Sequence, residues 1–342
     1  LVKDNFKNTQ EESREISMKH IYLIKTALIA MSVYMFSVIT HAQTFPDRPI
    51  TLVVPNPPGG LVDTSARILS EPLTRVIGQP VVVDNKPGAS GNTAYQYVAK
   101  AKPDGYTLLI SYSGYHVANP ALMDKLQWDP IKDFSPIALL TVSTNVIAVH
   151  PSVPVNNLKE LIAYAKANPG KLNYASQGNG SVSHIGTEIF KQSTGVDMVH
   201  VPYKGSGPAI LDVLAGQVQV FITTPPSVMQ HVQSGKLKGL AVTGKSRHPG
   251  MPNVPTTAEA GLASFQLEAW VALYAPAGTP GPIITKLTDS VKTSLALPEV
   301  KERGDSAGIE LRYLNPQAMD ALLKKELPYW SKAIKSANIT LD

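Results

Sequence analysis

The chain has 342 residues, 43% of them hydrophobic and 17% charged, with a formal net charge of +5 and no cysteine. That length can build two cores of ordinary size, and the composition is that of a globular protein, not of a disordered chain or a membrane bundle. The absence of cysteine excludes disulfides, thiolate metal sites, a cysteine nucleophile and a lipid-modified cysteine anchor. No basic run accompanies the small positive charge, so nucleic acid is not an expected partner.

Residues 1–17 are polar and read as an extension upstream of the fold. From Met18 the pattern changes. Lys19, His20 and Lys25 make a positive segment, Thr26–Ile39 is apolar, and Thr40-His41-Ala42 supplies small residues for cleavage. Residues 18–42 therefore read as a secretory signal peptide cut after Ala42. A membrane anchor is the weaker reading, because Lys25 interrupts a run that falls short of the roughly 20 residues a span needs. The remaining chain is expected outside the cytoplasm, held together by its hydrophobic core alone.

Ile50–Val54, rich in β-branched residues, reads as a strand that runs into Pro55 and the turn Asn56-Pro57-Pro58-Gly59-Gly60. Asp63 and Thr64 stand where a helix to about Ile77 would be capped, with Gly78-Gln79-Pro80 as its stop. Val81–Val83 reads as a strand covered on both faces. A second glycine-rich turn, Asp84–Asn92, leads into a helix at Thr93–Lys102, and Tyr106–Ser111 is the next strand. This alternation argues for an α/β layer fold. Ile137–Val149 holds two strand-like runs parted by Ser143-Thr144-Asn145, and Leu158–Ala167 is helical.

Leu172–Ser176 then repeats the opening design: strand, flexible loop Gln177–Ser183, helix His184–Ser193. Further strands are expected at Val199–Tyr203, Val218–Thr223 and Leu237–Thr243, with helices at Ala209–Ala215 and Pro226–Ser234 between them. Gly244–Pro255 is a connector. Beyond it come strand Glu268–Tyr274, helix Pro282–Leu297, strand Ile309–Leu314 and a final helix capped by Asn315-Pro316.

A helix start leaves N–H donors unpaired and carries a partial positive charge, so a glycine loop that opens onto one suits a carboxylate or phosphate. For one such loop, an ordinary turn is the simpler account; two of them, one in each half, can converge on a single small acid. Other chemistries lack their residues. Gly178-x-Gly180-x-x-Ser183 misses the third glycine of a dinucleotide loop. Gly88-Ala89-Ser90-Gly91 is not a nucleophile elbow. The six histidines outside the leader segment, of eight in the chain, are scattered and offer no zinc pair, so no metal and no cofactor are expected. His184 orients its loop or lends an N–H to an anion, and Lys204 reads as a solvated turn residue. Tyr112, Tyr115 and Phe221 sit near strand ends and are weighted toward core.

The run Pro49-Ile50-Thr51-Leu52-Val53-Val54-Pro55, with Pro58-Gly59-Gly60, Asp63 and Ala66-Arg67 after it, resembles the Bug family, the extracytoplasmic receptors of tripartite tricarboxylate transporters. Pro87-Gly88-Ala89-Ser90-Gly91-Asn92, Pro103-Asp104-Gly105-Tyr106-Thr107-Leu108, Tyr174-Ala175-Ser176, Val201-Pro202-Tyr203-Lys204-Gly205 and Pro255-Thr256 continue the likeness, which runs from about Phe45 to the C-terminus. The resemblance implies an α/β, two-lobed periplasmic binding protein fold, type II-like, each lobe a mixed, mostly parallel sheet flanked by helices. Lobe one would be 45–142 plus 260–342, and lobe two 143–259. It further implies a ligand carboxylate held by Pro58, Gly59, Gly60, Asp63, Ala89 and Ser90 from one lobe and by Ser176, Gly178, Ser181 and His184 from the other. Asn56 stands where this family commonly has an aromatic residue, and Thr223-Thr224 replaces a segment that usually carries Asp or Asn. Both Asn56 and Thr224 are expected to line the cleft.

The function this implies is that of a monomeric, non-enzymatic periplasmic receptor. It would deliver a di- or tricarboxylate, an aromatic acid or an acidic amino acid to integral membrane transporter subunits. A ligand sensor for a signalling protein is the alternative, and a hydrolase using Asp63 and His184 is a third.

Overall fold

The computed structural model describes residues 45–336, together with Met18, Lys25, Thr26 and Ile339. The upstream extension and the signal peptide lie, apart from those three isolated residues, outside the described residues. No helix among the described residues is long and apolar enough to cross a membrane.

The strands are β1 (Ile50–Val54), β2 (Val81–Asn85), β3 (Thr107–Tyr112), β4 (Phe134–Thr144), β5 (Val146–Val149), β6 (Asn173–Ser176), β7 (Val199–Pro202), β8 (Val220–Thr223), β9 (Lys238–Val242), β10 (Glu268–Pro276) and β11 (Glu310–Leu314). The helices are α1 (Leu61–Ile77), α2 (Asn92–Ala99), the single turns α3 (Ser113–His116) and α4 (Asn119–Leu122), α5 (Leu158–Ala167), α6 (Val182–Thr194), α7 (Ser206–Leu214), α8 (Pro225–Gln233), α9 (Gly281–Leu295), α10 (Pro298–Ala307) and α11 (Pro316–Ser336).

The strands form two sheets, ordered β11-β4-β10-β3-β1-β2 and β7-β6-β8-β5-β9. In the first, β1 runs parallel to β2 and β3, while β10 is antiparallel to β3 and β4, and β11 to β4. Strands β1 to β4 therefore point one way, and β10 and β11 the other. In the second, β6 is parallel to β7 and β8, and β5 is antiparallel to β8 and β9. The two sheets share one plan. Strands β2-β1-β3 of the first correspond to β7-β6-β8 of the second, each set followed by one reversed strand and then by one that returns. The repeated loop design has its origin here, since the strands before α1 and α6, β1 and β6, hold equivalent places.

Both sheets are mixed and helix-flanked, the two-lobed α/β architecture. The chain leaves the first sheet at Thr144 and enters the second at Val146, with Asn145 alone between; it returns through the segment between β9 and β10. The core follows from strand composition, since Leu52, Val53, Val54, Leu108, Leu109 and Ile110 are fully buried. On α1, Leu69 and Leu73 repeat at the one-turn spacing that keeps a stripe on one face, and each such burial contributes about 2 kcal/mol.

Three expectations shift. Helix α1 starts at Leu61 with Gly60 as its N-cap, ahead of Asp63 and Thr64, because the Asp63 carboxylate reaches back to the Gly59 N–H at 3.1 Å. Helix α6 likewise starts early, at Val182, where the capping Ser181 side chain accepts the His184 N–H. Strand β2 is a sheet edge and leaves Val82 52% exposed, so its apolar run does not mark a strand covered on both faces. Helix α10 went unread because its exposed, charged sequence, PEVKERGDSA, shows little apolar periodicity.

Candidate ligand-binding site

The loop between β1 and α1 is shaped by a buried carboxylate. Asp63 accepts hydrogen bonds from the Gly59 N–H (3.1 Å), from Arg67 Nε (3.0 Å) and from Asn85 Nδ2 (3.0 Å). Asn85 Nδ2 also donates to the Asn56 carbonyl at 2.8 Å, which ties the loop's entry to its exit. Gly59 has φ +98°, a left-handed conformation open to glycine at little cost. Pro58 and Gly59 are exposed and Gly60 is buried. Asp63 thus spends its oxygens inside the loop, and the N–H groups of the first turn of α1 are what the loop presents.

The neighbouring turn carries the two non-glycine residues with positive φ among those described, Ala89 (48°) and Ser90 (53°). Such backbone costs about 1–2 kcal/mol per residue. It is held by two side-chain amides, Asn92 Nδ2 donating to the Ala89 carbonyl at 2.8 Å and Asn119 Nδ2 to the Ser90 carbonyl at 2.9 Å.

In the second sheet the loop after β6 is built from hydroxyls. Ser181 Oγ donates to the Gly178 carbonyl at 2.7 Å and caps α6 by accepting the His184 N–H at 3.3 Å. Ser176 Oγ accepts the Gly178 N–H at 3.1 Å and meets His200 Nε2 at 2.7 Å. His184 Nδ1 accepts the Gly180 N–H at 3.2 Å, and its ring stacks on His200 with centroids 4.2 Å apart and planes 8° from parallel. Burial lowers both imidazoles, His200 to about 4, so the pair is neutral near pH 7. His184 therefore positions the loop backbone and carries no positive charge there.

The loop before α1 faces the loop before α7. A Cβ on Gly60 would stand 2.9 Å from Ser206 Oγ, and one on Gly205 would stand 2.9 Å from Pro57. A Cβ on Gly114, which follows β3, would meet the Val182 backbone nitrogen at the start of α6 at 2.8 Å. Between them sits Gln177, 7% exposed. Its Nε2 donates to Ser206 Oγ at 2.8 Å and to Thr223 Oγ1 at 3.2 Å, while its Oε1 accepts the Tyr112 hydroxyl at 3.4 Å. Asn56 Nδ2 donates to the Tyr115 hydroxyl at 3.2 Å, and the rings of Tyr112 and Tyr115 meet edge-on at 5.3 Å. Burial raises both phenols, Tyr115 to about 12, which keeps them as proton donors.

The fold brings Asn56, Pro58, Gly59, Gly60, Asp63, Ala89 and Ser90 to the carboxyl ends of β1 and β2, and Ser176, Gly178, Ser181, His184 and Thr224 to the corresponding ends of β6 and β8. Sequence reasoning missed Gln177, Ser206 and the cross-seam role of Tyr112; nothing in their local pattern marks them. Phe221 is core, packed with Val146, Ala175 and Val242. Asp63 and His184 belong to different sheets and share no hydrogen bond, so they do not form an acid–base pair. No group of three or more His, Asp or Glu able to hold a metal occurs among the described residues. A separate groove of about 730 Å³ is lined by residues such as Thr144, His248, Glu268 and Lys301, and none of the twelve expected residues lines it. What the facing loops can do chemically is offer converging N–H and O–H donors to a small anion.

Known proteins share this fold. The family described as "Tripartite tricarboxylate transporter family receptor" matches residues 65–339. The periplasmic binding protein BugD is 36% identical, with a TM-score of 0.83 over 86% of this chain and 99% of its own. A Rhodopseudomonas palustris protein solved with adipate is 37% identical, with a TM-score of 0.84 over 86% of this chain and 99% of its own. MatC from Rhodopseudomonas palustris, with bound malate, is 36% identical, with a TM-score of 0.80 over 85% of this chain and 100% of its own. The matching family is one of transporter receptors, and BugD is described as a periplasmic binding protein. A match over most of the chain, on a fold that sets two glycine loops face to face, leads to one conclusion: the chain belongs to the receptors of the tripartite tricarboxylate transporter family, the Bug-type solute-binding proteins.

Proposed function

We propose that the protein captures a small carboxylate between its lobes in the periplasm and delivers it to the membrane subunits of a tripartite tricarboxylate-type transporter. One observation supports this reading: across one seam the start of α1 lies against the start of α7 at Gly60 and Ser206, and the start of α6 lies against Gly114 after β3, where Tyr112 also reaches Gln177. A carboxylate placed there would meet the partial positive charge of helix starts from both sheets. Pro58, Gly59, Gly60, Ala89 and Ser90 from 45–142 would close on Ser176, Gly178, Ser181 and His184 from 143–259, with 260–342 completing the first lobe. Asp63 and His184 serve by fixing the loops. The adipate and malate bound by related proteins support a dicarboxylate, with tricarboxylates, aromatic acids and acidic amino acids as the wider class. Export would use residues 18–42 as a cleaved leader, and the receptor would act as a monomer.

A thermal-shift screen of the purified protein against organic acids tests this. An acid that binds the native state at 100 times its Kd raises stability by about 2.7 kcal/mol, a clear upward shift. Shifts confined to acids and abolished by their amides are expected. A full panel without a shift, or recovery of chemically altered acid, contradicts the proposal.

A further inference from the structure

The strained turn Ala89–Ser90 is held from α4. Asn119, which opens that helix, donates to the Ser90 carbonyl, and Met123 follows it one turn later, its N–H bonded to the Asn119 carbonyl at 3.0 Å. The Met123 sulfur lies 2.8 Å from Asn92 Nδ2, the same nitrogen that donates to the Ala89 carbonyl. A side-chain amide has two N–H donors, so one serves the turn and the other the thioether. Asn92 is 6% exposed, and its Oδ1 accepts the Trp128 indole N–H at 2.6 Å. One buried amide thus joins a positive-φ turn, a thioether and an indole.

Met123 also differs from the other methionines in access. Met198, Met229, Met251 and Met319 are buried, none more than 6% exposed, whereas Met123 is only half-buried. The chain has no cysteine to compete for an oxidant. A small oxidant therefore meets one thioether from Phe45 onward, among the described residues, that solvent can approach, and that thioether is wired to the turn.

We propose that Met123 is a redox-modification site, converted by hydrogen peroxide to the sulfoxide, and that the modification loosens the Ala89–Ser90 turn. A sulfur lone pair attacks one peroxide oxygen, the O–O bond breaks and an S–O bond forms. The departing hydroxide takes the proton of the transferred oxygen and leaves as water; sulfur loses an electron pair and peroxide gains it. Oxidation makes a flexible apolar side chain polar, and it is reversed by methionine sulfoxide reductases. The oxidised sulfur carries partial positive charge and stops accepting the Asn92 N–H, while the new oxygen is a stronger acceptor than the thioether was. Asn92 must turn toward that oxygen or give up a bond, and the Ala89 carbonyl and the Trp128 indole move with it. Ala89 and Ser90 are among the proposed acid contacts, so oxidation should also weaken the grip on an acid. That consequence alone rests on the carboxylate reading.

The test treats the 15N-labelled full chain with hydrogen peroxide and follows it by peptide mass mapping and by amide and indole spectra. Oxygen is expected first at Met123, with the four buried methionines still reduced. The Ala89 and Ser90 amides, the Asn92 side-chain amide and the Trp128 indole N–H should shift together and return on treatment with methionine sulfoxide reductases. In Met123→Leu the turn signals should ignore peroxide, and Met123→Gln should reproduce the shifts without it; the reductase reversal decides the matter if either variant fails to fold. Oxidation that spares Met123, or a Met123 sulfoxide that leaves the turn amides and the indole in place, overturns the inference. Acids in the thermal-shift panel should stabilise the oxidised protein less than the reduced one. Equal stabilisation would remove the turn from the acid's contacts and leave the oxidation site standing, and a panel silent in both states counts against the carboxylate reading alone.

Discussion

At Gly60 the missing side chain is needed for an approach and not for a turn. Its φ of −112° suits any residue, yet a Cβ would sit 2.9 Å from Ser206 Oγ in the opposite lobe. Gly59, at φ +98°, and Gly180, at φ +77°, are the reverse case: a side chain there strains the backbone, and at Gly59 it would meet no neighbour. Gly60→Ala therefore separates closure from folding. It should weaken acid binding by about tenfold, the effect of roughly 1.4 kcal/mol, while the melting temperature without ligand stays within about a degree of the parent. Calorimetry and a thermal melt check this; unchanged affinity would show that the loops do not close against each other. The sequence marked Gly59 and Gly60 alike as unobstructed loop residues. It could not say which one faces Ser206, because that contact is made by a segment remote in the chain.

Among the elements, boundaries were legible where caps are local and obscure where side chains reach back. Asn157 capping α5 and Gly78 ending α1 act within a few residues, and both ends fell where the pattern put them. Asp63 bonds backward to Gly59, so α1 begins earlier than its acidic residue suggests. The short α3 was invisible, although it carries a buried residue with a measurable signature. His116 is fully buried, stacked on Tyr274, with Nε2 donating to the Pro130 carbonyl at 3.0 Å and Nδ1 facing Ser111 Oγ at 2.9 Å. Burial lowers its pKa from 6.5 to about 4. The unfolded chain therefore takes up this proton first as pH falls, and stability present above pH 6.5 is lost between there and pH 4. The loss from His116 should approach about 3 kcal/mol, with His184 and His200 acting in the same direction. Urea unfolding at pH 7.5 and 4.5 measures it, and His116→Gln should lessen the difference. Stability that is flat or rises on acidification would contradict the buried neutral imidazole.

On the scale of the molecule, the two sheets are joined where both crossings run together. The Asn145 N–H donates to Thr243 Oγ1 at 2.8 Å, Asn145 Nδ2 donates to the Leu267 carbonyl at 3.2 Å, and the Thr243 hydroxyl donates to that same carbonyl. These bonds pin the end of β4, the end of β9 and the approach to β10 at one place, a natural pivot for closure. Alternation of strand and helix and the twinned loops were readable from spacing alone. The sheet order was not, because β10 inserts between β3 and β4 from far along the chain and runs against both. Gln177 escaped notice for the same reason: its partners Tyr112, Ser206 and Thr223 meet only once the lobes are in place.

Backbone amide shifts of the 15N-labelled protein, followed as a bound acid is titrated in, address the grip of the two helix starts most directly. The account predicts that the largest shifts fall together on Gly59–Val62 and on Gly180–Ser183, saturating at one common Kd. Shifts confined to one of those segments, or centred on the groove beside His248 and Lys301, would contradict it.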